Sequence, residues 1–81
     1  MKGDEYFAAC ELSKNVINYL HETYKDSYAE ISRKMGVSPA HISRVIHGEK
    51  GLSLERLIQL ANSYNISLPT LLSQSIKKGH S

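Results

Sequence analysis

The sequence predicts an all-α fold: a compact bundle of about five helices containing a helix-turn-helix. Three observations carry this reading. Serines recur just before stretches whose apolar residues lie three and four apart. Glycine or asparagine closes several of those stretches. No segment sustains the apolar–polar alternation, rich in β-branched residues, of a half-buried strand, so no sheet is expected.

The elements follow in order. Ala9, Leu12, Val16, Ile17, Leu20 and Tyr24 give one helical face across residues 5–24, with Tyr6 and Phe7 as an upstream extension. Ser27-Tyr28-Ala29-Glu30 fits a capping box, in which hydroxyl and carboxylate each satisfy an otherwise orphaned amide. It opens a short helix at 28–35, with Ile31 and Met35 on one face and Gly36 as an αL stop after Arg33 and Lys34. Ser38-Pro39 puts an N-cap before a proline at N1, where the missing N–H costs nothing. The helix it starts, at 39–47, carries Ile42, Val45 and Ile46 inward and ends before Gly48. Ser53 opens a longer helix at 54–63, marked by Leu54, Leu57, Ile58, Ala61 and Tyr64, with Asn62 and Asn65 at its end. Ser67 precedes a final short helix with Leu68, Leu71 and Leu72. Residues 1–15 read as an extension of the first helix or an arm, and 76–81 as a flexible tail.

An 81-residue chain is expected to be a single domain spanning 1–81. Its 41% hydrophobic and 22% charged residues lie near the globular average, which argues against disorder. A lone cysteine, Cys10, forms no intramolecular disulfide and reads as a small buried or interface side chain. No run of about 18 apolar residues spans a membrane. The start, Met1-Lys2-Gly3-Asp4-Glu5, has acids where a signal peptide is apolar, so the expected location is the cytoplasm. Charge is uneven. Residues 1–24 set Lys2 and Lys14 against Asp4, Glu5, Glu11 and Glu22, a net of −2, which leaves +4 of the total +2 for residues 25–81. A basic remainder permits a polyanionic partner. His21, His41, His47 and His80 lack the close pairing that zinc needs, and no glycine-rich phosphate loop exists. No catalytic residue, metal site or cofactor is expected, and the chain reads as not an enzyme.

Residues 28–47 turn a general reading into a specific one. A helix-turn-helix needs an apolar residue facing the core, a small residue at the helix crossing, and a second apolar residue before a glycine turn. It then needs apolar residues three apart to lock the second helix onto the first. Ile31, Ser32, Met35, Gly36, Val37, Ile42 and Val45 supply these in order. The second helix is left with Pro39, Ala40, His41, Ser43, Arg44 and His47 outward, a small, hydrogen-bonding, acid-free face that a DNA major groove accepts.

Residues 16–72 resemble the Cro/repressor-type helix-turn-helix family, also called xenobiotic-response-element type. The resemblance rests on Ile31-Ser32-Arg33-Lys34-Met35-Gly36-Val37-Ser38, on Ile42-Ser43-Arg44-Val45, on the loop His47-Gly48-Glu49-Lys50-Gly51, and on Ser53-Leu54-Glu55-Arg56-Leu57-Ile58-Gln59-Leu60-Ala61. Tyr28 stands where many members have a phosphate-touching glutamine, Leu52 replaces a loop proline, and residues 1–15 have no counterpart.

The resemblance implies double-stranded DNA as partner and a transcriptional regulator as function, a repressor on a pseudo-palindromic operator. Arg44 occupies the position that meets base edges, where a guanidinium bonds guanine O6 and N7 together. His41, Ser43, Ala40 and Pro39 complete the expected base-reading set. Phosphates are expected at the starts of the two motif helices, with Ser27, Tyr28 and Ser38, and just beyond the second, with His47 and Lys50. So few phosphate cations point to reliance on a homodimer, whose expected interface is Leu68, Leu71, Leu72 and Ile76, with Tyr6-Phe7 as the other candidate surface. The alternative is an antitoxin or other protein-interaction module on the same fold, with a toxin or regulator as partner and DNA binding secondary. Tyr28 and the mild charge favour that alternative.

Overall fold

The computed structural model describes the main chain of residues 2–79 and the side chains of residues 8–77. It contains five helices: α1 (Lys2–Tyr24), α2 (Tyr28–Met35), α3 (Pro39–Ile46), α4 (Leu54–Ser63) and α5 (Leu68–Gly79). No strand occurs among the described residues.

The local chemistry that starts and stops the helices is visible in the caps. The Ser27 hydroxyl accepts from the Glu30 amide at 3.1 Å, while the Ser27 amide donates to the Glu30 carboxylate at 3.2 Å. Ser38 and Ser53 accept in the same way from the amides of His41 and Arg56. Gly36 takes φ 75°, a region closed to most side chains, and lets the Val37 amide turn back to the Ser32 carbonyl at 3.0 Å. Asn65, at φ 56°, does the same for α4, with the Ile66 amide donating to the Ala61 carbonyl. No stop for α1 is legible from composition; Lys25 supplies it at φ 63°.

The core joins Val16, Ile17 and Leu20 of α1 to Ile31 and Met35 of α2, Ile42 and Val45 of α3, Leu57, Leu60, Ala61 and Tyr64 around α4, and Leu71 of α5. Each aliphatic side chain so buried contributes roughly 1.5–3 kcal/mol. Helix α1 is the spine, packing on α5, α3 and α2. Helix α2 packs on α3 and α4, and α4 touches α5.

Several expectations are corrected. On α1 the buried face holds Cys10 and Ser13, whereas Ala9 is exposed, Leu12 half-buried and Tyr24 39% exposed. The stripe is rotated because a polar residue belongs to it. The Ser13 hydroxyl donates to the Ala9 carbonyl at 2.7 Å and accepts from the Leu52 amide at 2.8 Å, which pins the α3–α4 connection to α1. On α4, Leu54 and Ile58 were expected inward but are 63% and 43% exposed, while Leu60 is fully buried. The inward stripe is Leu57, Leu60, Ala61 and Tyr64, so Leu54 and Ile58 fall to one side of it. The final helix is not short, and residues 76–79, expected in a tail, continue it. Residues 2–15 continue α1. Residues 80–81 and the side chains of Tyr6 and Phe7 lie outside the described set.

A polar clasp closes the far side of α2. Asp26 accepts from Lys34 at 2.7 Å and from the Tyr64 hydroxyl at 2.6 Å, and the Lys34 ammonium sits 4.2 Å from the centre of the Tyr64 ring. Lys34 and then Tyr64 hold the Asp26 carboxyl below its usual range, and burial followed by Asp26 pushes the Tyr64 phenol up.

Replacing Ser13 by Ala leaves the buried Leu52 amide without an acceptor and is expected to cost about 1–3 kcal/mol in urea unfolding. A change within a few tenths of a kcal/mol would mean that this bond does not secure the connection.

Candidate nucleic-acid interface

Helix α3 touches only α1 and α2 among the helices. Its fully buried side chains, Ile42 and Val45, lie three apart, so one side is clamped and the opposite side is left to solvent. Pro39, Ala40, Ser43, Arg44 and His47 are exposed on that outer side, and His41 is half-buried at its edge. A helix so anchored is held as a rigid rod, and its free face carries no acid.

A concavity of about 270 Å³ opens along this face, lined by Ser38, Ala40, His41, Arg44 and Lys50. Two stretches meet here: the start of α3, and the connection after it. The connection is folded back by Gly48 at φ 75° and by the Glu49 amide donating to the Arg44 carbonyl at 2.9 Å. The lining combines two permanent cations, a helix N-terminus whose amide dipoles point outward, and a cap hydroxyl. Ser38 uses its oxygen as cap acceptor, which leaves its proton available to a ligand. The arrangement suits an anion such as a phosphate, with Arg44 able to extend past it to a base edge.

The expected site residues do not all fall together. Arg44, Ala40, His41, Ser38 and Lys50 share the concavity. Pro39, Ser43 and His47 share the exposed face of α3 outside its lining. His47 packs its ring back, with Nδ1 2.7 Å from the Ser43 carbonyl, so Nε2 is its outward nitrogen and donates only when the ring is protonated.

Ser27 and Tyr28 stand apart, at the start of α2. The Ser27 amide and hydroxyl are both engaged by Glu30. The Tyr28 hydroxyl donates to Asn18 Oδ1 at 3.1 Å, and its ring stacks on His21 at 4.4 Å. As placed, neither side chain offers a phosphate a donor, because local capping and packing already use them. His21, in turn, meets the Asp26 carbonyl at 2.7 Å through Nδ1, so it fixes the α1–α2 connection.

His41 differs from its expected role. Its Nε2 is buried without a hydrogen-bond partner instead of facing a groove. Burial, followed by Lys50, Arg56 and Arg44, lowers its titration below the usual histidine value. Arg56 was overlooked in the sequence. It donates to the Met35 carbonyl at 3.0 Å, holding the end of α2 and the glycine turn against α4. The signal was its place three residues after the Ser53 cap, one turn into α4.

Of the expected dimer residues, Leu71 is fully buried in the protomer's own core and is withdrawn from any interface. Leu68 and Leu72 are half-buried against that core, and Ile76 is 47% exposed. Among the described residues no His, Cys, Asp and Glu cluster could hold a metal, and no helix is long and apolar enough to cross a membrane.

Because the folded state disfavours charged His41 whereas the unfolded chain does not, stability is expected to decline as pH falls through about 6.5 and to level off below the depressed titration of His41. Thermal unfolding against pH checks this: His41→Gln loses that share of the decline, and an unchanged profile would contradict it.

A family model for the helix-turn-helix matches residues 24–71, more than half of the chain and all of α2, α3 and α4. Searches of curated proteins and of solved structures return no match. The matched segment is the one whose outer helix face and cationic concavity have just been described, and the chain belongs to the Cro/repressor-type helix-turn-helix family of DNA-binding regulators.

Proposed function

We propose that this protein is a sequence-specific transcriptional repressor that binds double-stranded DNA as a homodimer on a pseudo-palindromic operator. The observation that carries the reading is the concavity at the start of the outward face of α3, where Arg44, Lys50 and the Ser38 cap converge with no acid among the described lining. Inserted in a major groove, α3 presents Arg44 to guanine and Ala40 to a thymine methyl, with Ser43 beside them. Lys50 and the amides opening α3 take the phosphate positions, with His47 next to them when charged. Charge steers the encounter, and the base contacts choose the site.

A protomer of 33 × 26 × 23 Å allows two copies side by side to address successive major grooves roughly 34 Å apart. With Leu71 withdrawn, the interface rests on exposed Ile76, with Leu68 and Leu72 at its edge, or on the exposed pair Leu54 and Ile58 of α4. The second reading, a protein-interaction module such as an antitoxin, is favoured by Ser27 and Tyr28 being engaged by other groups of the chain, since two phosphate ligands are thereby lost.

Selection of bound sequences from random DNA at low salt tests the function; no bound DNA would favour the interaction module. Arg44→Ala is expected to flatten preference at one position per half-site, a loss of about 1–3 kcal/mol in discrimination. Lys50→Ala is expected to weaken all sequences alike and to lower the salt slope by about 1. An unchanged selected motif in Arg44→Ala would remove Arg44 from base reading. Ile76→Asp and Ile58→Asp, compared by sedimentation, assign the dimer surface: the one that yields monomer lies in it.

A further inference from the structure

His41 is the one described side chain with a buried polar atom that has no partner, and it lies in the wall of the DNA-facing concavity. A neutral imidazole tolerates that placement, because a bare ring nitrogen gives up only one weak acceptor. A protonated ring would bury a charged N–H with nothing to receive it.

Among the described residues, the charges acting on His41 are positive: Lys50 from the connection, Arg56 from α4 and Arg44 on its own helix. The described acids of the two helices packed on α3, and of the turn between them, include several in ion pairs. Glu11 of α1 meets Lys14 at 3.1 Å, and Glu30 of α2 lies 3.9 Å from Arg33. Asp26, between those helices, meets Lys34 at 2.7 Å. Glu22 is solvent-exposed, and His21 is turned to the Asp26 carbonyl. In the connection, Glu49 has its main chain fixed on Arg44 and its side chain exposed. Among the described residues, no acid lines the concavity itself.

We infer that DNA binding by this chain takes up a proton at His41, so that affinity strengthens as the solution is acidified through the histidine range. The inference rests on the DNA-binding reading given above. Two of the cations that exclude the proton from the free protein, Arg44 and Lys50, are those that phosphates neutralise on docking. The phosphates also bring negative charge to a wall whose described lining holds none. Burial, the largest cause acting on His41, still opposes protonation, and the inference requires the phosphate charge to outweigh it, as Coulomb attraction in a partly desolvated interface is stronger than in water. By linkage, a proton gained on binding makes affinity rise as protons become more abundant.

The test uses the full chain and a labelled mixed-sequence duplex of about 20 bp, at fixed low ionic strength between about pH 8 and pH 5.5. Both arms carry His47→Gln, because a charged His47 beside the phosphates would add a pH dependence of its own. With His41 present, affinity is expected to rise on acidification by no more than about tenfold per pH unit, the limit for one proton; His41→Gln is expected to flatten this dependence. Nuclear magnetic resonance of the unmutated protein supplies a readout independent of whether the variant folds: the His41 ring should titrate at higher pH with the duplex than without it. Binding that is unaffected by pH, or a His41 titration unmoved by the duplex, overturns the inference and leaves the DNA-binding function standing. No binding at any pH overturns that function instead.

Discussion

Everything functional in this molecule depends on α3 being held from one side only. Ile42 and Val45 sink into the core shared by α1 and α2, and no other helix approaches. Eight residues are too few to stay helical alone in water, so α3 exists because of that burial and because Ser38 and Pro39 set its first turn. The same burial that creates the helix also orients it. Two inward side chains fix its rotation, and fixing rotation decides which residues face outward. A third packing partner would stabilise α3 further and would cover the face proposed to meet DNA.

The polar interactions within the bundle serve position more than strength. Ser13 secures the α3–α4 connection to α1, Arg56 secures the glycine turn to α4, and the clasp of Asp26, Lys34 and Tyr64 joins the α1–α2 connection to the end of α4. Each bond links the helix-turn-helix to a neighbouring element at a point where the chain has no regular hydrogen bonding of its own. Lys50 reaches the concavity only because the connection bearing it is folded back at Gly48 and fastened at Leu52. The shape of the cationic site is thus set by groups that do not line it.

Charge is concentrated where it acts. A formal net charge of +2 is small, and ion pairs around α1 and α2 engage Lys14, Arg33 and Lys34. Among the described residues, Arg44 and Lys50 have no acid beside them in the concavity lining, so their field is directed outward. His41 sits inside that field with its buried nitrogen, which makes its protonation sensitive to whatever anion arrives.

The sequence by itself determined the four serine-led starts, the Gly36 turn, the Asn65 stop and the inward residues of α2 and α3. These follow from spacing, cap chemistry and backbone conformations that glycine and asparagine favour, all of which are local. The outward place of Arg44 is legible there too, because an outward position on an anchored helix follows once its inward positions are known, whereas Lys50 joins it only through the folded-back connection. The rotation of the stripes on α1 and α4, the burial of Leu71, the engagement of Tyr28, the inward turn of His41 and the roles of Ser13 and Arg56 emerge only once the helices pack together. A stripe three to four residues wide has an uncertain centre until its partner helix is in place, and a side-chain bond spanning 39 residues leaves no periodic trace.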